Sequence, residues 1–436
     1  MTTRTTQATH GVGRVVIIND LAEMKGGATG IAMQATRLLR DKGIPTLFVT
    51  GASKADPSLG EAITLASSHI LDKPRPRAAL DGIFNAKSWR TLVRWISEND
   101  TPSTLYHVHG WSKSLSPSVF LALRPVARRV VVHAHDFFLT CPNGGYFDFQ
   151  RSSPCTLPPL SRACLQRQCD RRGYSHKLWR SARLQALRHL IDLRDIGRIL
   201  VVHDEMVSLF RQQGYAHPNV QVLRNPVDPW SGVRTPAELN RTFLYVGRLD
   251  EDKGVHLLVQ AARRARVPLH LVGAGPLAEW LTKDFPEVRM SGWCSREELA
   301  IHCRQARALI VPSNTRETFG LAALEALTSG LPLGISSAAL LAGEIVANEC
   351  GLSFEPTDTT DFIGTLERLS SDDGLVRTMS HNGVVRGRAL APTPGDWIDH
   401  LVEHYRDVIA IAGPRPDLAR FRLPHQPASL APVQDL

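Results

Sequence analysis

Two cations flank an acidic turn in the second half of the chain and could hold a diphosphate. Residues 247–254 read GRLDEDKG and precede a segment with apolar residues at helical spacing. A guanidinium and an ammonium at the start of a helix can donate charged hydrogen bonds to phosphate oxygens. Two other interpretations are that Arg248 and Lys253 pair only with the intervening acids, or that Asp250 and Asp252 bind a divalent metal. We disfavour the metal, because the two cations would already supply its charge.

Two glutamates follow in a segment that leaves a predicted strand and enters a helix. Residues 311–320 read VPSNTRETFG and contain Glu317, and Glu325 lies on the second turn of the helix. Helical rise places the two carboxylates about 10 Å apart, similar to the distance from hexose to ribose in a sugar nucleotide. Ionised carboxylates only accept hydrogen bonds, so they suit sugar and ribose hydroxyls. The alternative for either glutamate is favourable electrostatics at a helix start.

Glycine turns follow two further predicted strands. Gly26 and Gly27 lead directly into a helix, where backbone amides can approach an anion. Gly273 and Gly275 lie in a second strand-to-helix turn, with Pro276 at the first helical position. Either turn alone is a weak signal, because an ordinary tight turn has the same composition.

The elements that must position these residues alternate between short β-branched runs and longer segments of helical period. This alternation predicts parallel sheets covered by helices. It breaks at 225–229, where two prolines bracket a turn, and then begins again. The predicted strands are 14–18, 45–49, 104–108, 129–134, 198–202, 219–223, 242–246, 268–272, 307–311 and 332–336.

The predicted organisation is therefore two doubly wound, Rossmann-like α/β domains. Residues 1–226 form an N-terminal domain with a Cys- and Arg-rich insertion near 141–180. Residues 227–412 form the C-terminal domain, and 413–436 form a flexible, Pro-rich tail. In open parallel sheets ligands bind beyond the carboxyl ends of the strands, so the loops named above are expected at one cleft.

Composition is typical of a globular protein, with 436 residues, 43% hydrophobic and 21% charged. The first thirteen residues are mostly polar, so we expect no secretory signal peptide. No run approaches the roughly 18 apolar residues that a membrane span needs. Seven cysteines, an odd number, favour reduced thiols and a cytoplasmic location.

The net charge of +9 is concentrated in one segment. Residues 151–198 contain eleven Lys and Arg against three Asp, which gives +8. A basic segment of this kind could contact nucleic acid, an anionic membrane surface or a phosphorylated substrate, or it could be a solvated helix face. The region also holds Cys141, Cys155, Cys164 and Cys169. Their irregular spacing favours buried thiols over a zinc site, although zinc remains an alternative.

The ordered set of these motifs resembles the retaining GT-B glycosyltransferases of family four. The resemblance covers roughly residues 240–355 in order and spacing, and the first half of the chain matches in outline. It implies the GT-B fold, in which two Rossmann-like domains face a central cleft. It also implies that a nucleoside-diphosphate sugar is the donor substrate, with no separate cofactor and no bound metal.

The resemblance assigns roles residue by residue. Arg248 and Lys253 would hold the donor diphosphate and stabilise it as it leaves, Glu317 would face the transferred sugar, and Glu325 would bind the ribose. Histidines at strand ends would line the cleft near the reacting sugar, and His109 and His135 match best. The remaining donor-binding positions implied are Gly26, Gly27, Gly247, Gly275, Phe319, Gly320 and Leu321.

The sequence departs from the family pattern at one place. The family often has a glycine pair shortly before a glutamate in the segment after the acidic motif. Here residues 340–344 read LLAGE. The resemblance therefore does not extend to the conformation of this donor-side loop, whereas the clamp formed by Arg248 and Lys253 is unaffected.

We therefore interpret the chain as a retaining glycosyltransferase that moves a hexose from a UDP- or GDP-linked donor to a saccharide or lipid-linked acceptor. Bacterial surface-polysaccharide or glycoconjugate synthesis is the expected setting. The basic segment suggests peripheral contact with the inner face of an anionic membrane, and no nucleic acid is expected. The alternatives are a GT-B sugar-nucleotide epimerase and, from another class, a basic nucleic-acid-binding protein.

Overall fold

The computed structural model describes residues 11–412 apart from 24, 25, 53, 66–68, 70, 71 and 213–217. The predicted tail at 413–436 lies outside the described residues. The strands are β1 Arg14–Asn19, β2 Thr46–Thr50, β3 Ala62–Thr64, β4 Thr104–Val108, β5 Val130–Ala134, β6 Phe147–Asp148, β7 Ser153–Pro154, β8 Arg198–Val201, β9 Val220–Val222, β10 Thr242–Val246, β11 Leu269–Val272, β12 Arg289–Met290, β13 Ala306–Val311, β14 Leu333–Ser336 and β15 Gly351–Phe354.

Helices separate most of these strands, as the alternating pattern predicts. They are α1 Gly27–Asp41, α2 Arg75–Ile83, α3 Ala86–Asn99, α4 Ser118–Leu123, α5 Arg162–Gln166, α6 Tyr174–Leu190, α7 Asp204–Gln212, α8 Val255–Ala265, α9 Ala278–Asp284, α10 Arg296–Arg304, α11 Leu321–Thr328, α12 Ala342–Ala347, α13 Thr359–Ser371, α14 Asp373–Val385 and α15 Pro394–Ala412. Within the described residues, every helix is too short or too polar to cross a lipid bilayer.

Two parallel sheets organise the two halves of the chain. The N-terminal sheet has the order β3-β2-β1-β4-β5-β8-β9, and the C-terminal sheet has the order β12-β11-β10-β13-β14-β15. In each sheet the order reverses beside the first strand, between β1 and β4 and between β10 and β13. Ligands in doubly wound folds bind at this switch point, beyond the carboxyl ends of the strands. The fold therefore confirms the predicted GT-B architecture of two Rossmann-like domains.

The predicted insertion forms a small subdomain between β5 and β8. It contains the antiparallel pair β6 and β7, the short helix α5 and the long helix α6. Helix α6 packs against α2 and α4 of the N-terminal domain. The insertion is therefore fixed to the domain that carries it.

The last helix belongs to a different core from the one predicted. We assigned residues up to 412 to the C-terminal domain, but α15 packs on the N-terminal sheet. Trp397, Leu401 and Tyr405 are fully buried there, in one cluster with residues of β1, β2 and α1. Their spacing of four residues places them on one face of the helix, and burial of that face fixes the helix against the first domain.

We predict that Trp397→Ala lowers the free energy of unfolding by about 3–5 kcal/mol, because it leaves a cavity where a buried indole stood. Denaturant unfolding measures this change. The matched control is Ile411→Ala, on the same helix but 75% exposed, which should change stability by less than about 0.5 kcal/mol. Equal effects of the two substitutions would contradict the packing of α15 on the N-terminal sheet.

Candidate active site

Three loops of the C-terminal domain meet at the switch point because glycines let their backbones touch. A Cβ on Gly254 would lie 1.8 Å from the Pro312 carbonyl oxygen, and a Cβ on Gly273 would lie 1.8 Å from the Gly247 oxygen. Both glycines have positive φ, +69° and +146°. Gly275 is pressed against the Leu249 carbonyl oxygen in the same way, at 2.3 Å. The loops after β10, β11 and β13 therefore form one surface.

This surface brings Lys253 and Glu317 into direct contact. The Lys253 ammonium donates to the Glu317 carboxylate, and the Ser313 hydroxyl donates to the same oxygen at 3.1 Å. Burial alone would raise the pKa of Glu317, but the charge and hydrogen bond of Lys253 hold the pKa below its usual value. Glu317 is therefore an ionised acceptor beside a paired cation.

Arg248 lies beside this pair and is bound by the two acids of its own turn. Its guanidinium donates to Asp250 at 2.9 Å and to Asp252 at 3.0 Å, as one of our alternative interpretations expected. Asp250 is also bonded to Arg171, which comes from the insertion in the N-terminal domain. The side chain of Arg248 is 59% exposed. Arg248 therefore keeps the freedom to reach a ligand in the cleft.

The central cleft is a cavity of about 530 Å³ between the two domains. The N-terminal domain contributes the start of α1, and the C-terminal domain contributes the start of α11. Thr318 donates across the cleft to the His135 carbonyl oxygen at 2.8 Å. The predicted site residues that line the cavity are Gly26, Gly27, His135, Gly247, Arg248, Lys253, Glu317, Phe319, Gly320 and Leu321.

Glu325, Gly275 and His109 are not among the residues that line this cavity. Glu325 accepts hydrogen bonds from the indole of Trp230 at 3.2 Å and from Arg296 at 3.1 Å. Burial raises the pKa of Glu325, against the opposing effect of Arg296. Its carboxylate is thus held by these two donors on the second turn of α11, with the side chain 22% exposed.

His135 and His109 form a pair, with only His135 at the cleft. The His109 Nδ1 atom lies 3.0 Å from the His135 Nε2 atom, and His109 is buried behind its neighbour. Burial lowers the pKa of His135 to about 3 and lowers that of His109 as well. Both imidazoles are therefore neutral at physiological pH.

Sequence reasoning missed two charged residues of the cleft. Lys113 and Asp136 line the N-terminal side of the cavity. Asp136 keeps an exposed face toward the cleft, but the protein packed around its carboxyl group limits hydration and raises its pKa to about 6. The signal for Asp136 was present, because it directly follows His135 at the end of β5. Lys113 had no such signal, since it lies five residues beyond β4.

The segment 340–344, where the sequence departs from the family pattern, supports the acidic loop. The Leu340 amide donates to the Glu317 carbonyl oxygen at 3.1 Å. Glu344 instead forms two hydrogen bonds with Arg224, both at 2.7 Å, where the chain passes between the domains. The glutamate of this segment therefore contributes to the domain junction.

Much of the basic segment has partners within the protein. Lys177 and Arg183 are buried, Arg180 pairs with Asp170 at 3.0 Å, and Arg171 pairs with Asp250. The cysteines of the segment are free thiols, and the Lys177 ammonium lies 3.2 Å from the Cys164 sulfur. Among the residues that the structure describes, no three of these thiols are close enough to share a metal ion.

The part of the site that the C-terminal domain contributes lies in a segment that is similar to a known family. Residues 230–385 match the family described as "Glycosyl transferases group 1". The chain is 28% identical over 270 residues to a glycogen synthase of Mycobacterium tuberculosis. This alignment covers 56% of this chain and 60% of the synthase. The match thus spans less than two thirds of the relative's length.

Solved structures share the fold over nearly the whole chain. Sucrose-phosphate synthase from Thermosynechococcus elongatus superposes with a TM-score of 0.68 at 19% identity, covering 91% of this chain and 99% of that one. Anabaena HepE in complex with UDP-glucose superposes with a TM-score of 0.62 at 16% identity, covering 89% and 98%. At these identities the likeness concerns the fold. Together, the comparisons show that residues 230–385 are similar to the glycosyl transferases group 1 family and that the chain has the GT-B fold.

Proposed function

We propose that this protein is a retaining glycosyltransferase that moves a hexose from a nucleoside-diphosphate sugar to a saccharide or lipid-linked acceptor. The observation that carries the proposal is the Lys253–Glu317 pair at the switch point, with Arg248 beside it, facing a cavity large enough for a sugar nucleotide. UDP- and GDP-linked donors are the proposed class. The structure of HepE with UDP-glucose supports a nucleotide-sugar donor for this fold.

Positive potential converges on the cavity from several directions. Helix α1 begins at Gly27 and α11 begins at Leu321, and both N-termini line the cavity. Helix N-termini stabilise anions through free backbone N–H groups and the helix dipole. Arg248 and Lys253 add two formal charges. A donor diphosphate would exchange for the carboxylates that now hold these cations, so the charges are stabilised before and after binding.

The proposed reaction needs position and charge stabilisation from the protein, not a protein nucleophile. The bond between the sugar and the diphosphate breaks while the acceptor oxygen attacks from the same face, and a diphosphate oxygen takes the acceptor's proton. Arg248 and Lys253 stabilise the negative charge that develops on the leaving diphosphate. Glu317, ionised beside Lys253, accepts hydrogen bonds from hydroxyls of the transferred sugar.

The acceptor half of the cleft is formed by the N-terminal domain. Asp136 and His135 lie there and offer a carboxylate and a neutral imidazole to sugar hydroxyls. We propose a cytoplasmic enzyme with a saccharide or lipid-diphosphate acceptor of surface-polysaccharide synthesis. Contact with an anionic membrane would rest on Arg151, Arg162 and Arg172, which are exposed, and not on the buried Lys177 and Arg183.

We predict that Arg248→Ala and Lys253→Ala each lower kcat/KM at least tenfold, because each charged hydrogen bond to the diphosphate contributes about 1.5–3 kcal/mol. Steady-state kinetics with a panel of UDP- and GDP-hexoses measures the loss. Arg264→Ala, which removes an exposed cation from α8, is the control and should leave kcat/KM unchanged. Near-normal kinetics in both clamp variants would contradict the proposed function.

The two glutamates should separate binding from turnover. Glu325→Ala should weaken the binding of free UDP or GDP in calorimetry, because in the proposed complex the ribose hydroxyls replace Trp230 or Arg296 as donors to this carboxylate. Glu317→Ala should mainly lower kcat, because its proposed partner is the transferred sugar. Glu325→Gln keeps the size of the side chain and separates the loss of charge from the loss of packing. The reverse pattern would mean that the donor lies in the opposite orientation.

Membrane contact is tested with anionic and neutral vesicles at low and high salt. We predict binding to anionic vesicles at low salt, and release when Arg151, Arg162 and Arg172 are replaced by glutamate. Each charge near an anionic bilayer contributes up to about 1 kcal/mol, and salt screens the attraction. A matched variant replaces the exposed cations Arg264, Lys283 and Arg368 of the C-terminal domain and should still bind. Wild-type protein that ignores anionic vesicles would contradict the prediction.

A further inference from the structure

Behind the cleft, two adjacent strands bring four histidines together. His107 and His109 lie on β4 and directly after it, and His133 and His135 occupy the same places on β5. Residues two apart on a strand lie on the same face of a sheet. Since β4 and β5 are neighbours in the sheet, with His107 opposite Val131, all four histidines lie on one face. The ring centroids of His107 and His109 are 4.0 Å apart, and those of His133 and His135 are 4.4 Å apart.

Three of these imidazoles carry nitrogen atoms that make no hydrogen bond. His107, His109 and His133 are at most 6% exposed, and the Nε2 atom of each is buried without a partner. Buried polar nitrogens without partners are rare in folded proteins, because each loses its hydration without compensation. The cluster therefore has an unmet requirement for a ligand that accepts nitrogen lone pairs.

We propose that His107, His109 and His133 bind one divalent transition-metal ion of the class to which Zn²⁺ belongs. One ring nitrogen from each residue lies within 4.8 Å of the other two, so a single ion can reach all three. Neutral imidazoles are preferred ligands of Zn²⁺, Cu²⁺ and Ni²⁺, whereas Mg²⁺ and Ca²⁺ prefer oxygen. The proposal is independent of the proposed function.

In two of the three histidines the other ring nitrogen is already held by a partner, whereas both ring nitrogens of His133 are free of hydrogen bonds. His107 Nδ1 lies 2.6 Å from the Tyr405 hydroxyl, and His109 Nδ1 lies 3.0 Å from His135 Nε2. When each Nδ1–H donates to its partner, the Nε2 lone pair is left for the metal. Such outer hydrogen bonds fix the tautomer of metal-bound histidines and the orientation of their rings.

Space and charge for a fourth ligand are present next to the cluster. A small cavity of about 20 Å³ is lined by His109, His133, His135 and Asp136. That volume holds one water molecule, and three histidines with one water complete a tetrahedral zinc site. The carboxylate of Asp136 borders the same cavity and offsets part of the positive charge of the ion.

The ion would act on structure behind the cleft and not on the diphosphate. It would join β4 to β5 and, through His107 and Tyr405, would fix α15 against the N-terminal sheet. His135, the one histidine that lines the large cavity, would be held by its bond to His109. Arg248 and Lys253 lie in the other domain, so the proposed ion would be separate from the diphosphate clamp.

Metal content is the first test. Tag-free protein is dialysed against Zn²⁺, freed of excess metal and assayed by mass spectrometry, with one Zn²⁺ per chain expected. His107→Asn and His133→Asn should each weaken Zn²⁺ affinity at least tenfold in a chelator competition. His270→Asn, which removes a buried histidine from β11, and Cys164→Ser, from the insertion, are matched controls and should keep the ion. No bound Zn²⁺ in the wild type would overturn the proposal.

X-ray absorption on the wild-type protein keeps the proposal testable if the histidine variants do not fold. The zinc edge should show only nitrogen and oxygen neighbours at about 2.0–2.1 Å. Sulfur neighbours at about 2.3 Å would place the ion at the cysteines and would overturn the histidine site. Added Zn²⁺ should also raise the melting temperature of the wild type, and an equal rise in the His107 variant would contradict the assignment.

Discussion

The contact between the Lys253 ammonium and the Glu317 carboxylate depends on backbones that approach more closely than side chains allow. Lys253 ends the loop after β10, and Glu317 lies in the loop after β13, the neighbouring strand. Gly254 must accept the Pro312 carbonyl oxygen where a Cβ would stand, and Gly273 must accept that of Gly247. A larger residue at either position would push the loops apart. The contact between Lys253 and Glu317 would then be lost, and Lys253 would no longer be held at the switch point.

Ionic contacts connect this surface to the other domain. Asp250 binds Arg248 from its own turn and Arg171 from the N-terminal insertion, so one carboxylate links a cleft cation to a distant subdomain. Arg224 and Glu344 form a second link at the domain junction. Helix α15 forms a third, because it returns to the N-terminal core after the C-terminal domain is complete. These contacts, together with the bond from Thr318 to the His135 carbonyl oxygen, join the two domains.

Much of the site could be predicted because its signals are local. The strand predicted at 242–246 has those bounds in the structure, and glycines and charges directly after it identify the turn that carries Arg248 and Lys253. Glu317 follows β13 in the same way. Parallel strands end at one edge of a sheet, so residues placed after different strands must meet there. Periodicity, turn chemistry and this rule were sufficient to predict Gly27, Lys253 and Glu317 at one cleft, and the family resemblance added His135.

The sequence by itself determined the alternation of strands and helices, the two sheets and the loops that carry the charges. Only the tertiary structure decided which partner each of several charged or amphipathic groups would meet. Arg171 reaches Asp250, 79 residues away, and Lys177 and Arg183 are buried although a basic run predicts a solvated face. The sequence of helix α15 predicts an apolar face, but it does not indicate whether the N-terminal or the C-terminal sheet covers that face. Local sequence patterns indicate what kind of group a residue can bind. Which partner it meets depends on long-range packing, because packing brings together surfaces that are far apart in the chain.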